Sequence, residues 1–336
     1  MKVSELGEFG LIDLLSKMVS ASQDKQAAAW QQLIIGIDDD AAAWHSNGLT
    51  QLATVDSFIQ DTHFSLGMAS WDELGWKALA ASLSDIAAMG GVPRYALVSL
   101  ALPGNTDVDD VTGLYRGMIE LAQEFGVAIV GGDINSAPLV AINLTILGSS
   151  SLDERILTRS GAELGEKVAV TGYLGTAAAG LNMLTQQLQF DPEATTCFRE
   201  AFLHPYPRIA EGQILVEQGV RTAIDISVGL ISDLNHICIA SQVGARIEIE
   251  HLPIQPLVKA NFGDKSLELA LSGGEDYELL FTASTKVIDK VEAAASCPIT
   301  VIGEIGADKV GEITVVDEKG EPVNLPSAGW EHFTTR

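Results

Sequence analysis

Ile37-Asp38-Asp39-Asp40-Ala41-Ala42 sets three consecutive carboxylates between an apolar run, Leu33-Ile34-Ile35, and a run of alanines. Neither a core strand nor a packed helix face accepts that density of charge. Like charges this close raise each other's pKa unless a cation neutralises them. Taken alone, the stretch also reads as an exposed acidic turn. Working outward, single carboxylates recur in similar settings, beside glycines or at the ends of apolar runs: Asp56, Asp85, Asp133 and Asp225. The chain is therefore expected to gather acids from several segments around metal ions.

The intervening pattern sets the fold class. Residues 8–19 read as an amphipathic helix, with Leu11, Leu14, Leu15 and Met18 on one face. Thr50 to Val55 is a strand pattern ending at Asp56. Ser70-Trp71-Asp72-Glu73 has capping-box spacing and opens a helix to Met89, which Gly90-Gly91 stop. Asp85 lies in that helix among alanines, with no basic residue close in sequence, so it needs a partner or a solvated face. Residues 95–102 read as a strand, 108–125 as a helix and 127–130 as a buried strand. That strand closes in Gly131-Gly132-Asp133, where glycine would let a ligand approach the backbone. Residues 139–147 read as a strand and 148–151 as a linker.

In the second half, 167–171 read as a strand, followed by Gly172, Gly175 and a helix from about Thr176. Such a turn can hold phosphate at a helix N-terminus. A strand over 223–227 contains Asp225, and a helix follows from about Leu230. Arg246–Glu250 reads as a strand. Ser272-Gly273-Gly274-Glu275-Asp276-Tyr277 is a second glycine-acidic turn, before a strand over 278–282. Residues 311–323 read as a terminal hairpin. Strands alternate with helices throughout, so the expected class is α/β, with mixed α+β sheets, in two domains over 1–150 and 151–336.

Composition narrows the chemistry. With 336 residues, 47% of them hydrophobic, the chain can bury a large core. A formal charge of -25 argues against nucleic acid or an anionic membrane as partner. Cys197, Cys238 and Cys297 form no CxxC pair, which suits a reducing compartment. No signal peptide or membrane-length apolar run is evident, and a cytoplasmic location is expected. The six histidines are scattered and no GxSxG elbow occurs. Hard carboxylates in glycine-rich turns favour Mg²⁺ and phosphoryl transfer from a metal–nucleotide.

Six motifs then fall in one register: Gly7-Glu8-Phe9-Gly10-Leu11-Ile12, the acidic turn with Ala41-Ala42, Leu83-Ser84-Asp85-Ile86-Ala87-Ala88-Met89-Gly90, Gly131-Gly132-Asp133, Leu157-Thr158-Arg159-Ser160-Gly161, and Gly273-Gly274-Glu275-Asp276-Tyr277-Glu278-Leu279. Their order and spacing resemble the thiamine-monophosphate kinase family, from Glu8 to Trp330-Glu331-His332-Phe333. That family belongs to the superfamily of aminoimidazole ribonucleotide synthetase and selenophosphate synthetase. The resemblance implies a two-domain α/β homodimer joined through its N-terminal domains. It implies transfer of the γ-phosphoryl of ATP to thiamine monophosphate, with several Mg²⁺ ions. By the same resemblance, Asp40, Thr54, Asp56, Asp85, Asp133 and Asp225 match Mg²⁺ positions. Tyr115, Gly132, Arg159 and Ser227 match nucleotide contacts. His63, Glu275 and Trp330 match positions that hold thiamine phosphate.

The chain departs from the family pattern at the acidic site. Ser-Asp-Gly-Leu is here Ser227-Val228-Gly229-Leu230, and Val228 cannot bind a cation. Asp38 replaces an early glycine, Val55 a threonine, and Ile134-Asn135-Ser136 a Thr-Thr-Arg segment. Two other readings follow. One is a nucleotide or thiamine-phosphate binder with impaired catalysis. The other is a sister synthetase, although no cysteine precedes Cys197 and the chain ends Thr334-Thr335-Arg336.

Overall fold

The computed structural model describes residues 31–35, 39–46, 48–150, 155–307 and 309–323. The helix expected over 8–19, Asp38 and Trp330 lie outside them. The first sheet comprises β1 (Leu33–Ile35), β2 (Ala42–Ser46), β3 (Leu49–Ile59), β4 (Gly91–Leu102), β5 (Ala128–Ser136) and β6 (Ala141–Ser150), in the order β1-β2-β3-β6-β4-β5. The second comprises β7 (Lys167–Thr171), β8 (Thr222–Asp225), β9 (Gly244–Glu248), β10 (Leu279–Ala283), β11 (Ile299–Gly306) and β12 (Ile313–Val316), in the order β12-β9-β11-β7-β10-β8. Each sheet mixes parallel and antiparallel pairs. The expected mixed α/β class is the one found.

Helix α1 (Trp71–Ala88) sits between the sheets. Its capping box forms: the Ser70 hydroxyl accepts from the Glu73 amide, and Glu73 accepts from the Ser70 amide at 2.7 Å. On one side α1 packs on helix α2 (Val108–Glu124) through small residues. A Cβ on Gly75 would stand 1.9 Å from the Leu114 carbonyl oxygen, and one on Gly117 1.9 Å from that of Asp72. On the other side it meets helices α4 (Pro192–Leu203) and α5 (Ile209–Gln218) of the second half.

One apolar core runs through this seam. It contains Leu79, Leu83 and Ile86 of α1, Ala96 and Val98 of β4, and also Leu215 of α5 and Leu279 and Phe281 of the second sheet. The opposite faces of the same second-sheet strands, Val168, Val170, Ile224 and Leu280, enter an outer core. Helices α3 (Thr176–Gln186), α6 (Leu230–Ser241), α7 (Pro256–Phe262) and α8 (Lys265–Ser272) contribute to it. Helix α9 (Thr285–Ala294) returns to the seam through Ile288 and Val291. Strands buried on both faces explain the continuous apolar runs of the second half.

Five sequence expectations change. Residues 148–150, read as a linker, are the end of β6, paired with β3 and β4; Gly148 fits where a Cβ would meet the Val92 carbonyl oxygen at 2.8 Å. β3 does not end at Asp56 but runs on to Ile59, with Asp56 opposite Leu144. The strand read as buried, 127–130, is β5, an edge strand that continues through Gly131-Gly132-Asp133 and is mostly exposed. Helices α4, α7 and α8 arise where no helix was assigned. Lastly, β12 pairs parallel with β9, while only a Val316–Pro322 bridge keeps the hairpin expected at the end.

Candidate active site

Four elements converge where α1 passes the start of β2, the middle of β3 and the end of β8. Asp85 accepts a hydrogen bond from the Thr54 hydroxyl of β3 at 2.5 Å. One residue earlier, the Ser84 hydroxyl donates to Asp225, the last residue of β8, at 2.6 Å. Asp40 precedes β2. Asp40, Asp85 and Asp225 each bring a carboxylate oxygen to a point where all lie within 4.8 Å of one another. Asp56 follows Thr54 at the period-2 spacing that puts both on one face of β3.

Burial is the first cause that raises the pKa of all four acids, and Asp85 and Asp225 stand well above the ordinary carboxylate range. Mutual repulsion adds to it: Asp56, Asp225 and Asp40 each raise Asp85. Arg159 opposes this. Its guanidinium Nη2 donates to Asp40 Oδ1 at 2.5 Å, and its amide donates to Asp39 Oδ2 at 3.1 Å. Asp39 is itself pushed up to about 6, by burial and then by Asp40. Asp233 accepts from the Val228 and Gly229 amides at 3.1 and 2.9 Å and, chiefly through burial, is raised to about 7.

One arginine leaves the cluster with surplus negative charge. Asp40 Oδ2 and Arg159 Nε are buried without a hydrogen-bond partner. An unsatisfied carboxylate oxygen amid other hard oxygen donors fits a divalent cation of the Mg²⁺ type.

A cavity of about 180 Å³ is lined by His63, Phe64, Met68, Leu74, Lys77 and Phe202 among others; Lys77 lies on α1, the helix that also carries Asp85. His63 Nδ1 accepts from the Ile59 amide at 3.0 Å, and its ring meets Phe58 edge-on. Lys77 of α1 lies within ion-pair distance, 2.6 Å, of Glu275. Glu275 in turn raises the pKa of Asp56 by its charge, so Lys77 of the cavity wall is linked to the acids through Glu275.

Other expected positions are not among the three converging carboxylates. Asp133 is exposed on β5 and accepts from Asn135 Nδ2 at 2.6 Å. Gly132 answers a packing need: its Cβ would stand 1.8 Å from the Val98 carbonyl oxygen of β4. Tyr115 is half-buried on α2 against the core. Ser227 stands two residues after Asp225, and its carbonyl accepts from the Glu275 amide at 2.9 Å.

The phosphate reading of the Gly172–Thr176 turn changes. Asp276 already occupies the N-terminus of α3, accepting from the Gly175 and Ala177 amides at 2.7 and 3.2 Å. Sequence reading missed Lys77, Ser84 and Asp233. For Lys77 a signal existed: it lies eight residues before Asp85, so two steps of four along α1 put both on one face.

Residues 38–150 match the family model "AIR synthase related protein, N-terminal domain", and 163–316 match "AIR synthase related protein, C-terminal domain". The chain is 37% identical to a thiamine-monophosphate kinase of Escherichia coli (strain K12), over 98% of this chain and 99% of that one. It is 34% identical to that of Bacillus subtilis (strain 168), over 89% and 93%. A solved structure of "AaThiL complexed with AMPPCP and TMP" superposes with a TM-score of 0.85 at 31% identity, covering 99% of each chain. The hydrogenase maturation protein HypE in complex with ATP, at 20% identity and a TM-score of 0.70 over 86% and 88%, shares the fold.

Proposed function

The chain belongs to the thiamine-monophosphate kinase family, and from that premise we propose that its acidic cluster and the cavity of His63 and Lys77 hold the donor and acceptor of one phosphoryl transfer. The enzyme moves the γ-phosphoryl of ATP onto the phosphate of thiamine monophosphate, giving thiamine diphosphate and ADP. The observation that carries this reading to particular residues is the convergence of Asp40, Asp85 and Asp225 at α1, the helix whose Lys77 also lines the cavity of His63.

Asp40, Asp85 and Asp225 are assigned to Mg²⁺, with Thr54 and Asp56 beside them and Asp133 included through its Gly-Gly-Asp motif. Bound Mg²⁺ would screen the repulsion between anionic donor and anionic acceptor. Arg159 is held against Asp39 and Asp40 with its planar fork partly unused, which suits a phosphate oxygen. Tyr115, Gly132 and Ser227 are assigned to the nucleotide, and His63, Glu275 and Trp330 to thiamine monophosphate. A phosphomonoester's second pKa is about 6, so the acceptor is already anionic at neutral pH and no general base is needed. Catalysis is then positioning and charge stabilisation.

Assembly as a homodimer is supported by the open face of the first sheet. On that face Val55, Tyr95 and Leu97 share one register and are 64%, 51% and 38% exposed, an apolar patch of the kind that a partner subunit covers. Among the described residues no helix is long and apolar enough to cross a membrane. A cytoplasmic site of action fits a reaction that consumes ATP.

Val228 favours a second reading, a kinase of reduced turnover. Its amide anchors to Asp233, but its side chain brings no carboxylate to the cluster. Incubation with ATP, Mg²⁺ and thiamine monophosphate should yield thiamine diphosphate and ADP. No product across a broad Mg²⁺ range would overturn the active-kinase reading. Calorimetric binding of both ligands without product would establish the impaired one.

A further inference from the structure

Lys77 is a lysine in an unusual place. Its side chain is 5% exposed, within an otherwise uncharged run of apolar and small residues from Leu74 to Ser84. Three partners fix it. Its ammonium donates to the Phe202 carbonyl at 2.9 Å, lies 3.2 Å from the centroid of the Phe202 ring, and pairs with Glu275 at 2.6 Å. Phe202 belongs to α4 and Glu275 to the turn before β10, so Lys77 ties the first half of the chain to two segments of the second.

A purely structural lysine would be a poor choice here. Burying an ammonium costs several kcal/mol before its partners compensate it, and a methionine could fill the same space over the Phe202 ring. Burial is the dominant cause at Lys77, and it lowers the pKa. What the ammonium supplies is a fixed address for Glu275. That residue sits at φ +73°, a left-handed backbone that a glutamate seldom adopts. Its side chain is 31% exposed, and its charge bears on Asp56. Without a cation, the carboxylate would be repelled from the acidic cluster and free to turn into solvent.

We propose that Lys77 is a positioning residue for thiamine monophosphate: it holds Glu275 at the junction of the cavity and the acidic cluster. This rests on the assignment of that cavity to thiamine monophosphate. There is an electrostatic corollary. Thiamine carries a cationic ring, which a bare lysine in the cavity wall would repel. Paired with Glu275, Lys77 presents no net charge to it.

The test compares the parent with Lys77→Met, Lys77→Arg, Glu275→Gln and the Lys77→Met/Glu275→Gln double variant, all as full chains. Lys77→Met should raise the KM for thiamine monophosphate by about tenfold or more, with the KM for ATP changed by less than about twofold. Lys77→Arg should recover part of the loss. In the Glu275→Gln background, Lys77→Met should cost less than about twofold further, because the carboxylate it positions is gone. Calorimetric titration with thiamine monophosphate alone should repeat the pattern in Kd. A fall in melting temperature with the KM for thiamine monophosphate unchanged would overturn the proposal, as would full additivity of the two substitutions. If Lys77→Met does not fold, Lys77→Arg against Glu275→Gln carries the same comparison, and equal KM values in parent and Lys77→Arg/Glu275→Gln would overturn it. A parent that neither binds nor turns over thiamine monophosphate would instead defeat the cavity assignment, and this proposal with it.

Discussion

Replacing Asp85 by asparagine should change stability in opposite directions with and without Mg²⁺. In the metal-free protein, the oxygens of Asp40, Asp85 and Asp225 lie within 4.8 Å of one another. Two full charges at that separation repel by about 3.5 kcal/mol at an effective dielectric of about 20. Asp85 takes part in two such pairs. Partial protonation and Arg159 reduce the repulsion, and the substitution weakens the hydrogen bond from Thr54, at a cost of about 1 kcal/mol. The net expectation is a gain of about 2 kcal/mol for Asp85→Asn in EDTA. With Mg²⁺ at a hundredfold excess over its Kd, the parent gains about 2.7 kcal/mol, and the variant loses most of that gain.

The pH dependence has a definite sign. Asp85 and Asp225 have raised folded-state pKa values, so the folded state holds protons that the unfolded chain has released. Their contribution to stability is therefore fully present below the ordinary carboxylate value of 3.8 and is lost as pH rises through the folded values. Asp85→Asn should flatten that fall. Urea unfolding in EDTA and in Mg²⁺, across pH, measures all of this. A variant less stable than the parent in EDTA that keeps the full Mg²⁺ gain would refute both the repulsion and the metal assignment.

Four further outcomes are expected. Val228→Asp adds a carboxylate beside the cluster and should tighten Mg²⁺ binding or raise turnover, read by Mg²⁺ titration of activity; parent-like curves would show that position 228 is indifferent. Arg159→Met leaves Asp39 and Asp40 without their counter-ion and should raise the KM for ATP by about tenfold, since charge-assisted hydrogen bonds contribute on the order of 1.5–3 kcal/mol. Ser70→Ala removes one arm of the capping box and should cost about 1 kcal/mol by urea unfolding, with kcat little changed. Gly132→Ala drives a Cβ into the Val98 carbonyl and should cost about 1–3 kcal/mol; loss of β5 protection in hydrogen exchange would trace the cost to that strand.

Carboxylates were the legible part of the site because charge amid alanine and glycine conflicts with local preference. Asp40, Asp85 and Asp225 stood out for that reason, and the fold brings them together. Lys77 did not stand out: a single lysine in a helix normally snorkels to water, and its partners lie more than a hundred residues away. Asp276 was hidden likewise, since nothing local says that it caps a helix a hundred positions earlier. Ser-rich 148–150 misled because composition marks turns, whereas small residues also let strands approach closely. The edge position of β5 was illegible for a related reason. An apolar run reports that a surface is to be covered, not whether the cover comes from the same chain.

Helix α1 has a consequence for how the molecule can come apart. Its apolar faces are shared, one side with the first sheet and the other with α5 and the second sheet, so the first half does not close its core without the second, which has a separate outer core of its own. The two matched segments resemble separate modules in sequence but have surrendered independence. Denaturant should therefore give one transition rather than two, and a fragment ending near residue 150 should regain its structure only when mixed with the rest of the chain. The seam that aligns Lys77, Ser84 and Asp85 with their partners therefore ties the integrity of the site to the docking of the two halves.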